Sequence, residues 1–290
     1  VFPFRGNKKL VNYLRAWLNL RRKYNLNNFD MIHCHFGQSG LLAFPTPVPV
    51  VVTFHGSDLQ GFWEANGRYA ASGYVLEKLS RCISRFATQI IVVSENLIKY
   101  LPPSLPIHVI PCGVDFNLFH PIPQLYARKQ LNLPLDRLLV LFLANPVNPI
   151  KRYHLARAAV GLLKERFAVD LVTVFDVPHK LVPMYINACN VLVLTSKHEG
   201  SPMVVKEALA CDVPIVSVDV GDVRKRIVGI HGCVLCSDDS PETIANGLTY
   251  VLRAPNRIQG QGAVADLSEE LVAKKIIEVY QTIRSKRNHD

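Results

Sequence analysis

The chain has 290 residues, 49% of them hydrophobic, and carries a formal net charge of +10 at pH 7. That length suggests two domains rather than one, and the apolar content is ample for buried sheets. No apolar run reaches the roughly 18 residues of a membrane span, and the basic start, VFPFRGNKKL, lacks the apolar core and cleavage site of a signal peptide.

Seven cysteines, an odd count, are scattered through apparent strands and helices. They point to free thiols in a cytosolic chain rather than to a disulfide framework. Cys233-x2-Cys236 lacks the second ligand pair that a zinc site needs. The charge is uneven, with seven Lys or Arg and no acid from Val1 to Phe29. Basic surfaces suit nucleic acid, anionic lipid or an acidic substrate. No nucleic-acid module is recognisable, so a lipid surface or a phosphorylated substrate ranks first, beside the plain reading of a solvated helix face.

In chain order, Lys8 to Tyr24 has helical periodicity, with Leu10, Tyr13 or Leu14, Trp17, Leu18 and Leu20 near one side. Basic residues fill much of the rest. Such a helix could lie on an anionic membrane or cover a sheet, and the sheet cover is favoured. The segment FDMIHCHFGQSGLLA reads as a strand and loop, with His33 and His35 pointing the same way. That spacing suits metal, but no third ligand is evident, so both read as core or loop histidines. Pro49 to Phe54 is a strand ending in His55-Gly56-Ser57-Asp58. A helix is predicted over Glu77 to Thr88, and QIIVVSENLIKYL gives a strand, Ser94 and a second helix.

Ile107 to Pro121 reads as structural punctuation, with Gly113 permitting an unusual turn, and the domain boundary is placed between Pro121 and Pro134. The second domain opens with a strand, Arg137 to Ala144, then NPVNPIKRYHLARAAV. A helix start this basic opposes the macrodipole and favours a bound anion. A strand at Val169 to Phe175 and a helix at Leu181 to Ala188 follow.

Next comes VLVLTSKHEGSPMVVKEALACDVPIVSVDVGD, Val191 to Asp222. Val191 to Leu194 reads as a buried parallel strand, Lys197 to Gly200 as a tight loop, and Pro214 to Val218 as a second strand. The intervening helix is predicted to start at Ser201-Pro202, with Ser201 as N-cap and Pro202 as first helical residue. In such βαβ units ligands sit at the carboxyl ends of the strands. Gly200 permits close backbone approach, and the N–H groups of Met203 and Val204 favour an anion such as phosphate. Glu199 and Glu207, eight positions apart, are acceptors suited to the hydroxyl pairs of a sugar and a ribose. The bland reading is a loop acid and a solvated helix acid. Helices at Pro241 to Leu252 and Glu269 to Arg284 complete the chain.

EGSPMVVKEALACDVPIV resembles the E-x7-E signature of retaining, family-4-type glycosyltransferases. That resemblance implies an α/β chain of the GT-B fold, with two Rossmann-like doubly wound domains. Residues 1–121, with the C-terminal helix 269–290, would form the acceptor-side domain, and 122–268 the nucleotide-sugar domain. It also implies that Glu199 contacts donor-sugar hydroxyls, that Glu207 holds the nucleotide ribose, and that Gly200, Ser201, Met203 and Val204 meet sugar and diphosphate. HGSD resembles the family's HG(S/T)D motif, which gives His55 a role in donating to a sugar hydroxyl or the leaving phosphate. IHVIPCGVDFNLFHP is similar to the segment that ends the family's first domain, with Cys112 where Asn is usual. In the family's GR-x-x-x-K pattern, Ala144-Asn145 replaces Gly-Arg here, and Lys151 or Arg152 fits the Lys, so one bidentate phosphate clamp is absent. Lys151 would then act with Arg152 or Asn145 assisting. The family places the loop Asp176 to His179 near the nucleotide base. The family's opening strand, Gly-rich loop and helix are not supplied by Val1 to Asn28, so the first domain is expected to be incomplete, as in a fragment or a truncated chain.

The resemblance thus implies transfer of a sugar from a nucleotide-diphosphate sugar to a glycan or lipid-linked acceptor, with retention, no metal and no cofactor. A cytoplasmic enzyme of cell-envelope polysaccharide biosynthesis is the expectation, with the basic N-terminal stretch suited to a peripheral seat on the inner, anionic face of the membrane and no nucleic-acid partner. A non-catalytic sugar-nucleotide-binding or assembly subunit is the alternative, and an epimerase of the same fold ranks below it.

Overall fold

The computed structural model describes residues 1–4, 10–61, 69–253 and 256–287. They divide into two compact units: residues up to 111 together with 273–287, and residues 112–272.

In the first unit, four parallel strands, β1 (Ile32–His35), β2 (Val50–Phe54), β3 (Gln89–Val92) and β4 (Ile107–Val109), lie in sequence order. Every residue of β2 and β3 is buried, which is why both segments read as continuous apolar runs. Helices α1 (Leu10–Lys23), α2 (Gly40–Ala43), α3 (Ser57–Gln60) and α4 (Ala71–Ser84) surround the sheet connections. Lys8 and Lys9, expected in the first helix, lie outside the described residues.

Three local expectations change here. The inward side of α1 is centred on buried Ala16, whereas Val11, Leu14 and Leu18 are exposed. Its partner is the α2 segment rather than the sheet. Trp17 Nε1 donates to Phe44 O at 2.9 Å, and the Arg21 guanidinium reaches the carbonyls of Leu42, Ala43 and Pro45. α4 begins six residues before the expected Glu77 because its buried face includes Gly73, Ser80 and Ser84. With Ile83 as the one large apolar side chain among these small buried residues, the face lets backbone approach closely but gives a weak apolar periodicity to read. After β3 the chain forms a 3-10 turn, Glu95–Tyr100, instead of an α-helix, and Pro102 and Pro103 stop it from continuing.

The second unit contains β5 (Leu138–Leu143), β6 (Val169–Val174), β7 (Val191–Leu194), β8 (Ile215–Ser217) and β9 (Val234–Leu235), all parallel, in the order β6-β5-β7-β8-β9. Helices α5 (Gln124–Gln130), α6 (Tyr153–Leu163), α7 (Val182–Ala188), α8 (Met203–Ala210), α9 (Val223–Ile227) and α10 (Pro241–Arg253) accompany them. The core runs through β5, β7 and β8 into Ala156, Ala159, Ala208, Leu209 and Leu248, each 0% exposed. The unit starts at residue 112, earlier than the expected boundary at Pro121. The reason is packing: Val114 N donates to Leu267 O at 2.7 Å, and Phe119 is buried in this core. The last helix, α11 (Glu269–Arg287), continues past the expected Arg284, and its residues from 273 on belong to the first unit.

Candidate functional site

Strand β5 is flanked by β6 on one side and β7 on the other, so chain direction across the sheet reverses between β5 and β7. In open α/β sheets such a switch point leaves a crevice outside the carboxyl ends of the two strands. The segment after β5 carries Asn145, Lys151 and Arg152, and the segment after β7 carries Glu199, Gly200 and Ser201. The two segments are fastened together. Lys197 N donates to Ile150 O at 2.8 Å, and Thr195 Oγ1 lies 2.8 Å from Lys151 O and 3.1 Å from Arg152 O.

The two cations of this segment do different things. Lys151 Nζ meets Glu199 Oε1 at 2.5 Å, with both side chains partly buried. Arg152 stands in the left-handed region, φ 50° and ψ 46°, where the 3-10 turn Pro149–Lys151 gives way to α6. Its guanidinium donates to Thr195 O at 2.6 Å and to Ser196 O at 3.4 Å, and pairs with Asp239. Arg152 therefore holds the end of β7, while Lys151 faces the Glu199 loop. Asn145 is exposed; its Oδ1 accepts from Val147 N at 3.1 Å, capping the turn that follows β5. Asn145 and Asp176 line a cavity of about 570 Å³ at the carboxyl ends of β5 and β6.

The helix after β7 starts later than expected. Pro202 is extended, with ψ 117°, and serves as the N-cap position, so α8 begins at Met203. Ser201 does not cap: its hydroxyl donates to Asp222 Oδ2 at 2.6 Å. The first N–H groups of α8, on Met203 and Val204, are those a helix cannot satisfy internally. Glu207, 8% exposed, sits one helical turn further on. Burial pushes its carboxyl above the ordinary range, while His179, with Nε2 3.7 Å from Glu207 Oε1, pulls it back.

His55 belongs to the first unit. Asp58, 0% exposed, gathers the backbone N–H groups of Gly37 (2.9 Å), His55 (3.1 Å) and Gly56 (2.9 Å). This clamp shapes the loop that presents the imidazole. His55 Nε2 lies 3.1 Å from His35 Nδ1, and the His35 ring stacks on His33 with centroids 4.5 Å apart. His33 in turn contacts Tyr280 Oη at 2.6 Å and Thr53 Oγ1 at 2.7 Å. Burial, and then the neighbouring rings, hold His33 and His55 down to about 4, so His55 is neutral at pH 7. Among the described residues, no group of three or more His, Cys, Asp or Glu is disposed to hold a metal.

Sequence reasoning missed Asp222 and Asp239, each of which reaches a site residue from a separate segment, and named His179 only as the end of a loop expected near the nucleotide base, without its contact to Glu207. Only HGSD carried a signal for Asp58.

Residues 1–118 match the family model described as Glycosyltransferase Family 4, and residues 155–254 match that of Glycosyl transferases group 1. Among curated relatives, Bacillus subtilis TuaC, described as a teichuronic acid biosynthesis glycosyltransferase, is 27% identical over 76% of this chain. That alignment spans 60% of TuaC's own length. A D-inositol 3-phosphate glycosyltransferase of Thermobispora bispora is 26% identical over 94% of this chain and 75% of its own. Among solved structures, sucrose-phosphate synthase from Thermosynechococcus elongatus superposes with a TM-score of 0.79 at 22% identity, covering 97% of this chain and 80% of that one. Anabaena HepE in complex with UDP and glucose gives 0.72 at 16% identity, covering 95% and 84%. The fold is thus the two-sheet α/β fold of these GT-B structures, and the chain is similar to family-4 glycosyltransferases over residues 1–118 and to group 1 glycosyltransferases over residues 155–254.

Proposed function

We propose that this chain transfers a sugar from a nucleotide-diphosphate sugar to a glycan or lipid-linked acceptor, with retention of configuration and without a metal ion. The observation that carries this reading is the meeting of Lys151 and Glu199 at the β5/β7 switch point, with buried Glu207 on the following helix. Glu207 would accept the ribose hydroxyls and Glu199 those of the sugar. The Lys151 ammonium and the first N–H groups of α8 would take the negative charge that builds on the departing diphosphate, where preorganised donors act most strongly. Arg152 and Asn145 support this site by shaping its two loops. For the first unit we propose separately that neutral His55 donates a hydrogen bond to a sugar hydroxyl or to the leaving phosphate.

The likeness to TuaC supports a place in cell-envelope polysaccharide biosynthesis, and HepE, solved with UDP and glucose, supports a nucleotide-sugar donor. Among the described residues no helix is long and apolar enough to cross a membrane. A peripheral seat in the cytoplasm, on an anionic membrane face, is supported by α1, where exposed Val11, Leu14 and Leu18 lie among Arg15, Arg22 and Lys23.

The test is thermal-shift titration with UDP, GDP, ADP and their sugar conjugates, followed by turnover with the donor that binds. A ligand that binds the folded state raises the midpoint. A shift with one nucleotide, abolished in Glu207→Ala, supports the donor site. Binding without turnover in the presence of glycan acceptors favours a non-catalytic sugar-nucleotide-binding subunit, and no shift with any nucleotide sinks the reading.

A further inference from the structure

The loop that carries Glu199 and Gly200 is held from below by a segment of the chain some twenty residues away. Gly221 has φ +61°, and a Cβ built there would lie 2.8 Å from Gly200 O, 3.2 Å from Pro202 Cδ and 3.3 Å from Glu199 Cβ. The backbone of residue 221 therefore packs directly under the loop. The next residue, Asp222, takes the Ser201 hydroxyl proton in its 2.6 Å hydrogen bond.

Asp222 is itself enclosed by cations. Its side chain is 10% exposed, and Arg226 Nε lies 4.0 Å from Oδ2. Arg226 is fixed in turn by Asp266 Oδ1 and Ala263 O, each at 2.9 Å from Nη1. Lys206, on the same helix as Glu207, is 0% exposed, and its ammonium has the Cys112 carbonyl at 3.5 Å. Burial works against the Lys206 charge, and the Asp222 carboxylate is the largest influence in its favour. Removing the carboxylate would take from buried Lys206 its largest favourable influence, while Arg226 keeps Asp266.

A serine hydroxyl has one proton and two lone pairs. With the proton committed to Asp222, Ser201 Oγ can only accept from a ligand. It cannot donate to a phosphate oxygen, but it can receive a sugar hydroxyl or amide N–H. We propose that Asp222 is a positioning residue that fixes Ser201 as an acceptor for a donor group on the transferred sugar, so that this point of the loop reads the sugar and not the diphosphate. The proposal rests on the donor-site reading above and narrows what one atom of that site recognises.

The experiment compares Ser201→Ala, Ser201→Thr, Asp222→Ala and the Ser201→Ala/Asp222→Ala double variant with the unaltered chain. The probes are whichever of UDP, GDP or ADP binds, and its glucose conjugate, with Kd for each by calorimetry and kcat and KM with the conjugate. Loss of one hydrogen bond predicts about tenfold weaker binding of the conjugate by Ser201→Ala, with the nucleoside diphosphate alone changed less than about twofold. Ser201→Thr keeps the hydroxyl and restores conjugate affinity. Asp222→Ala shows the same selective loss, and the double variant loses no more than either single one, as expected for residues acting as a unit. Equal weakening of conjugate and diphosphate overturns the proposal, because it would mean general distortion of the loop. So does additivity of the two changes, or an unchanged Ser201→Ala. Should Asp222→Ala fail to fold, the Ser201 pair decides alone, since it leaves the buried charges in place. Failure of the unaltered chain to bind any diphosphate is a different result: it removes the donor site, and the proposal with it.

Discussion

Lys151 Nζ stands 2.5 Å from Glu199 Oε1, joining the segment after β5 to the segment after β7. The pair sets the electrostatics of the switch point, because it sets an ammonium against a carboxylate in a partly buried place. Lys151→Ala is expected to lower the rate of sugar transfer about 10²- to 10³-fold, the usual consequence of removing one donor aimed at developing charge. Initial rates of nucleoside diphosphate release measure this, and a loss below tenfold would take Lys151 out of the charge-stabilising role.

Glu207 illustrates a trade between stability and binding. Its carboxyl is raised by burial, so the folded state favours the protonated form. That contribution to stability is fully present at low pH and is lost as pH rises through the folded-state value. At neutral pH the charge is therefore a cost. Glu207→Gln is expected to melt higher than the unaltered protein at pH 7.5 without ligand, with the gap narrowing under acidic conditions. It should also lose the nucleotide-induced shift. Melting curves with and without nucleotide at two pH values give both comparisons.

The histidine cluster has the opposite sign of pH dependence from Glu207. His33 and His55 sit near 4 when folded against an ordinary 6.5. Between those values the unfolded chain binds more protons, so stability from these groups is full above pH 6.5 and declines as pH falls toward 4. The melting temperature is expected to drop across that window, and His33→Asn should shallow the drop. A slope identical to that of the unaltered protein would show that other groups control it.

Arg128 is a structural counterpart to the site residues. Only 5% exposed, it donates to the carbonyls of Ala188, Pro134, Leu135 and Arg137 and to Asn190 Oδ1, at 2.8 to 3.3 Å. Arg128→Met strands several acceptors together and is expected to cost about 3 kcal/mol or more. Urea unfolding with an unchanged m-value and a lowered midpoint checks it. Arg128→Lys should recover little, because one ammonium cannot reach carbonyls spread around a planar fork.

What could be read from the sequence follows the same physics. β5, β7 and β8 were legible because strands buried on both faces are unbroken apolar runs, and Glu199, Gly200 and Glu207 were legible from their spacing between two of them. The turn at Ser201 was misread because Ser-Pro before a helix normally means a cap, whereas the hydroxyl goes to Asp222, a partner that no local pattern reveals. α4 was shifted because Gly73, Ser80 and Ser84 fill its buried face beside a single large apolar side chain, Ile83. The Arg152 fork onto Thr195, Ser196 and Asp239 joins three segments far apart in the chain, and only the folded topology discloses it.

The placement of residues 273–287 with the first unit has a consequence for how the chain is made. Among the described residues the second unit runs from 112 to 272, whereas the first includes most of α11, with Val279 and Ile283 buried and Tyr280 bonded to His33. Domains usually complete themselves in the order in which they leave the ribosome. Here the order is inverted: the unit whose strands precede the other's is finished after it, and its sheet waits for a helix that emerges only once residues 112–272 have been made. A stop codon or proteolytic cut near residue 272 would spare the unit it adjoins and unmake the one that precedes it.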